Sequence, residues 1–209
     1  RVLEVLERFG HPVTIVTKGA GVLRDLDILQ RLAARNLVHV CLSITTLDMK
    51  LARAMEPRAA SPLKRLAAVT ELARAGVPVS VMTAPLIPGL NDHELEALLE
   101  SAAEAGAKEA GYVALRLPLE IKDLFQEWLA EHHPDRAQRV MTLVRQMRGG
   151  KDYDSAWGTR QRGTGPYAQL LAQRFRKACA RLGLNAQKLQ LDASQFRRPA
   201  ASGDQQDLF

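Results

Sequence analysis

Short apolar runs alternate with amphipathic stretches along the first half of the chain. Val13-Thr14-Ile15-Val16-Thr17-Lys18-Gly19, Val38-His39-Val40-Cys41-Leu42-Ser43 and Val79-Ser80-Val81-Met82-Thr83-Ala84-Pro85 are rich in β-branched and apolar residues and predict strands. A fourth strand is predicted over Gly111–Leu115. Between them the apolar spacing turns helical. Helices are predicted over Arg24–Arg35, with Leu26, Ile28, Leu29 and Leu32 on the apolar side, and over Leu47–Met55. Ser61, followed by Pro62, caps the next helix, which Gly76 ends. Asn91 or Asp92 caps one that runs to Ala105. A β-α-β-α-β-α-β order with short links implies parallel strands joined by crossover helices. Four strands are too few to close a barrel. A helical stretch, Val2–Phe9, precedes them.

The pattern changes after Leu117-Pro118. Leu119–His132, Arg136–Met147 and Pro166–Leu182 read as helices, the last ended by Gly183. Between them lie two loop-like stretches rich in glycine, aromatic and basic residues, Gly149–Asp154 and Trp157–Gly165. From Arg197 onward the composition is that of a flexible linker with an apolar tip. The expected organisation is barrel over residues 1–117, a helical and basic extension over 118–196, and a tail over 197–209.

Charge sharpens this picture. The net charge is +6, yet His133–Lys188 carries twelve Lys/Arg against Asp135, Asp152 and Asp154. A basic sub-region on a near-neutral scaffold predicts a polyanionic partner, most simply nucleic acid, with a solvated helix surface as the alternative. Arg136, Arg139, Arg145, Arg148, Lys151, Arg160 and Arg162 are the candidate phosphate contacts. Tyr153 and Trp157 are candidates to stack on bases, or else to cap the barrel. His132-His133, with no third ligand, reads as a capping or solvent-facing pair. Cys41 and Cys179 are unclustered and build no metal site by themselves. No run of about 18 apolar residues is present, so no membrane partner is expected. Unpaired thiols suit a reducing, cytoplasmic setting.

Candidate chemistry lies at the strand ends. In parallel β/α barrels the strands' carboxyl ends form the active-site rim. Lys18 offers a cation with three donors, Ser43 a hydroxyl, and the Ala84 carbonyl an acceptor for an adenine amine. Beside Ala84, the Pro/Gly loop permits close approach.

Five stretches resemble radical S-adenosylmethionine (SAM) proteins of the DNA-repair-photolyase type, relatives of spore photoproduct lyase. They are Val13–Lys18, Leu42–Thr46, Glu56-Pro57, Leu66–Val77 and Ala84–Asp92. The resemblance implies an α/β fold: a partial (β/α) TIM-type radical SAM barrel, roughly six-stranded with about two βα units upstream, and a helical, basic C-terminal extension. It implies that Lys18 meets the SAM carboxylate, that Ser43 shares the pocket, and that the Ala84 backbone meets adenine. It also implies a [4Fe–4S] cluster held by three cysteines of a CxxxCxxC loop, and a 5′-deoxyadenosyl radical formed by reducing SAM. No such spacing occurs in this sequence. The resemblance therefore places the cluster ligands upstream of Arg1, and this stretch by itself is expected to be inactive. The implied substrate is nucleic acid. The alternatives are a protein or small metabolite, or a non-catalytic adaptor that binds DNA or a clamp. Finally, Gln205-Gln206-Asp207-Leu208-Phe209 resembles the bacterial sliding-clamp-binding pentapeptide. In that resemblance Leu208 and Phe209 fill an apolar groove, and Gln205 hydrogen-bonds at its edge.

Overall fold

A computed structural model describes residues 1–198. Its centre is one sheet of four parallel strands in sequence order: β1 (Val13–Thr17), β2 (Val38–Ser43), β3 (Val79–Leu86) and β4 (Glu109–Ala114). The register aligns Val16 with Cys41, Cys41 with Ser80, and Ser80 with Glu109. The open sheet and its crossover helices agree with the partial β/α barrel expected from the sequence. β3 and β4 shift register between Thr83 and Leu86, where the Ala84–Pro85 peptide is cis.

Strand alternation divides the sheet into two faces. Val38, Val40, Leu42, Ile44, Val79 and Val81 face the helix layer, where Leu29, Leu32, Leu72 and Leu98 meet them. Leu29, Leu32 and Leu72 have no exposed surface. Each such side chain contributes about 1.5–3 kcal/mol through burial. Cys41, Ser43, Ser80 and Met82 lie on the other face.

The helices are α1 (Val2–Arg8), α2 (Leu26–Ala34), α3 (Met49–Met55), α4 (Pro62–Arg74), α5 (Leu95–Glu104), α6 (Ile121–His132), α7 (Pro134–Gln146) and α8 (Gly165–Leu182). Two sequence expectations need correction. The helix expected from Arg24 begins as a 3-10 turn over Ala20–Asp25 and becomes α-helical only at Leu26. Neither Asn91 nor Asp92 caps α5. The Asn91 side chain instead accepts from Ile87 N–H at 2.7 Å and donates to the carbonyls of Thr45 and Pro85 at 2.8 and 3.0 Å. A buried amide cross-linking two strand ends satisfies more donors and acceptors than a cap would. Asp92 accepts from Gly89 N–H at 2.9 Å and from the Tyr167 hydroxyl. The Ser61 cap is present, its hydroxyl accepting from Lys64 N–H at 3.4 Å.

The helices after β4 pack directly on the barrel elements. α8 shares a core with α5 and β4 through Leu95, Leu99, Tyr112, Leu171 and Phe175. Arg174–Glu96 and Arg181–Glu100 ion pairs flank it. α6 and α7 bring Leu129, Val140 and Val144 onto Leu51, Ile87, Leu90, Leu115 and Leu117.

Beyond α8 the chain runs as a belt past the amino ends of the strands. Asn185 occupies the outer edge of β4, exchanging hydrogen bonds of 2.9 and 3.1 Å with the Ala110 amide and carbonyl. Leu189 N–H donates to Glu109, and Asn36 pairs with Gln190 and Asp192. Arg197 N–H reaches the Phe9 carbonyl at 2.9 Å. Gly10 is needed at the last crossing: its φ is +60°, and a Cβ there would lie 2.3 Å from the Gln195 carbonyl oxygen. The linker expected from Arg197 is thus anchored at its first residue.

Candidate cofactor site at the strand carboxyl ends

One carboxylate organises the carboxyl ends of β1, β2 and β3. Glu56 ends α3 and precedes the Pro57 break, which turns its side chain back over the sheet. It accepts from Lys18 Nζ, from Arg65 Nη2 at 2.5 Å and from the Thr45 hydroxyl at 3.2 Å. The one Thr45 hydroxyl proton is shared between Glu56 and the Ala84 carbonyl, which lies at 3.1 Å. Arg65 is 2% exposed. Besides Glu56 it donates to the carbonyls of Ala60 (2.7 Å) and Ser43 (2.9 Å). Lys18 enters this hydrogen-bonded cluster by its ammonium, and Ser43 and Ala84 enter it by their backbone carbonyls, so the Ser43 hydroxyl expected from the sequence is not the group engaged.

Electrostatics follow from this geometry. Burial alone would raise the Glu56 carboxyl. Hydrogen bonds and charges from Lys18 and Arg65 outweigh it and hold the group below the usual carboxylate range. Glu56 is 11% exposed and Lys18 45%. The cluster thus has a closed side at Arg65 and an open side at Lys18. Farther along the rim, the hydroxyl and backbone N–H of Thr46 and Leu47 converge on Glu94 at 2.6 and 2.7 Å.

Glu56, Thr45 and Arg65 received no role from sequence reasoning, although Glu56 and Thr45 lie in the resembling stretches. A signal for Arg65 was present. It sits on the α4 stripe with Pro62, Ala68, Val69 and Leu72, where a guanidinium is out of place unless it is paired.

The donor set fits an amino-acid-bearing nucleoside cofactor in kind. Lys18 supplies a cation on the open side, Glu56 a carboxylate for an ammonium, and the Ala84 carbonyl retains a second lone pair beside the Thr45 bond. An iron–sulfur cluster does not fit the described residues. No group of three or more His, Cys, Asp or Glu is placed to hold a metal among them. Cys41 and Cys179 are buried on different elements. Burial raises both thiols, that of Cys179 to about 11, which disfavours a ligating thiolate.

Most basic residues expected to meet nucleic acid are engaged elsewhere. Arg148 is a correction: it is 4% exposed and donates to the Leu115 and Thr159 carbonyls, so it locks a loop onto β4. Arg145 pairs with Asp152 at 2.6 Å, and Arg136 with Asp135 at 3.7 Å. The Arg162 guanidinium lies 3.8 Å over the Tyr112 ring. Arg160 lies 4.2 Å over Trp157, which is 85% exposed. Tyr153 accepts from Arg116 at 3.1 Å, while Arg116 Nε is buried without a partner among the described residues. Arg139 lies against Gly89, and Lys151 is exposed. The His132 and His133 rings pack against Trp128. Gln205, Leu208 and Phe209 lie outside the described residues. No helix among those residues is long and apolar enough to cross a membrane.

Residues 1–102 match the model of the Radical SAM superfamily. Over those residues, which include β1, β2 and β3, the chain carries a radical SAM domain. Its fold is that of spore photoproduct lyase: two single-residue mutants of that enzyme superpose with a TM-score of 0.55 at 18% identity, over 88% of this chain and 54% of theirs. An uncharacterized protein of Mycobacterium tuberculosis is 34% identical over 146 residues, and one of Mycobacterium bovis matches equally. An uncharacterized protein of Acidianus two-tailed virus is 31% identical over 114 residues, covering 52% of this chain and 37% of its own length. The match to the mycobacterial proteins covers 69% of this chain and 43% of theirs, so the chain spans less than half of those relatives.

Proposed function

We propose that this chain is the SAM-binding part of a radical SAM enzyme that acts on nucleic acid in the manner of a DNA repair photolyase. The observation that carries the reading is the network that joins Lys18, Thr45 and Arg65 to Glu56, and through Thr45 and Arg65 reaches the Ala84 and Ser43 carbonyls, within the stretch that matches a radical SAM domain. Lys18 holds the SAM carboxylate, Glu56 faces its ammonium, and the Ala84 carbonyl accepts from the adenine amine. Arg65 keeps Glu56 ionised and fixed, so the cofactor meets a preformed charge pattern. SAM held there would supply the 5′-deoxyadenosyl radical chemistry that the family implies, with Lys18, Glu56 and the Ala84 carbonyl as the groups that would hold it. The photoproduct substrate named for the structural neighbour supports a damaged nucleic acid as the target, and the exposed Trp157 and Lys151 support a surface for it. The Gln205–Phe209 peptide extends the proposal to a sliding clamp as partner.

Equilibrium binding of SAM to the intact protein tests the cofactor site. Lys18→Ala is expected to weaken binding about tenfold or more, the worth of one charge-assisted hydrogen bond. Unchanged affinity would refute the assignment. For the tail, Leu208→Ala with Phe209→Ala is expected to abolish clamp binding, and retention would refute that part.

A further inference from the structure

The geometry points to a strand-binding cleft outside the barrel mouth, between α3 and the start of α4, that takes a phosphate of a single-stranded nucleic acid and the face of its base. This assignment rests on the nucleic-acid reading above and gives it a place. The cleft measures about 440 Å³ and is lined by Lys50, Arg53 and Lys64. All three are exposed, and none makes a side-chain hydrogen bond or ion pair among the described residues. Contrast the basic extension, where Arg145, Arg148, Arg160, Arg162, Arg174 and Arg181 are already bonded, paired or stacked.

Only one acid lines the cleft, and it brings no net negative charge. Glu56 forms part of the wall, yet Lys18 and Arg65 already neutralise it. Three cations therefore face one space without a counter-ion, which favours an anion. The remaining wall is largely apolar, with Met49, Pro57 and Pro62 contributing. A nucleotide unit presents both matching features, a charged phosphate and a flat apolar base face. An acidic peptide side chain or free phosphate presents only the charge. Position agrees as well: Glu56 is shared with the Lys18 cluster, so a strand seated here passes beside the cofactor site.

Binding of a fluorescein-labelled oligothymidylate to the intact protein, followed by anisotropy across a salt series, tests the inference. The variant Lys50→Gln/Arg53→Gln/Lys64→Gln changes only exposed side chains, and circular dichroism checks its fold. Losing the contact to one phosphate lowers the slope of log affinity against log salt by about 0.7 for a single strand. The wild type's affinity advantage over the variant should then change about threefold between 200 and 50 mM salt. An unchanged slope, with Arg136→Gln/Arg139→Gln/Lys151→Gln weakening binding instead, would overturn the cleft and leave the nucleic-acid reading standing. No binding by wild-type protein at any salt would overturn that reading and the cleft with it. Displacement of the oligonucleotide by inorganic phosphate or oligoglutamate at equal charge would overturn the strand assignment.

Discussion

Replacing Arg65 by methionine tests whether the buried guanidinium is the structural centre of the rim. Methionine keeps the length and apolar stem but removes three donated hydrogen bonds, to Ala60 O, Ser43 O and Glu56. Breaking a buried ion pair from one side costs about 3–5 kcal/mol. Glu56 retains Lys18 and Thr45, which places the expected loss near about 3 kcal/mol. With a urea dependence of about 2 kcal/mol per molar for a chain of this size, the unfolding midpoint falls by about 1.5 M. Trp128, which donates to Ala54 O on α3, is the local probe once exposed Trp157 is changed to Phe. Far-UV circular dichroism reports the whole fold. The same Arg65 change made with Glu56→Gln should cost about 1–2 kcal/mol less, because no carboxylate is then stranded. A midpoint shift below about 0.3 M, or strictly additive losses, would refute the argument.

Three further outcomes follow. The fold depresses the Glu56 carboxyl, so its stabilisation is complete above the unfolded value of about 4.3 and fades as pH falls through the lower folded value. Acid unfolding of Glu56→Gln should therefore be flatter below about pH 4.3; an unchanged acid limb would contradict the pairing. Cys41 and Cys179, both buried with raised thiols, should resist a disulfide-exchange reagent at pH 8 and react fully in urea; fast native labelling of either would show an opening that the fold does not have. Gly10→Ala forces a Cβ onto the Gln195 carbonyl at positive φ, with an expected loss of about 1–3 kcal/mol and earlier proteolysis within residues 185–197; wild-type stability would refute the close crossing.

Much of the sheet was legible because buried parallel strands read as continuous β-branched runs, and their polar last residues stand out. Val38–Ser43 matches β2 at both ends, and Lys18, Ser43 and Ala84 fall together at the rim. Glu56 stayed hidden for a topological reason. It meets Lys18 across 38 positions and Arg65 across 9, and neither separation has a helical or strand period. In the basic extension, charge alone does not separate paired cations from open ones. Arg174 and Arg181 stabilise the docking of α8 on α5 through Glu96 and Glu100, an arrangement composition cannot separate from a polyanion surface. The belt over residues 185–197 was illegible because irregular backbone held by Asn185, Gln195 and main-chain groups has no periodic pattern.

That belt sets a timetable for synthesis. At the usual elongation rate of about 5–20 residues per second, α1 leaves the ribosome about 10–40 s before the residues that secure its end at Phe9. The outer edge of β4 likewise stands open to other nascent chains from the time the strand emerges until Asn185 has been made. Production of this protein is therefore expected to depend on chaperone supply and translation speed more than its finished core suggests.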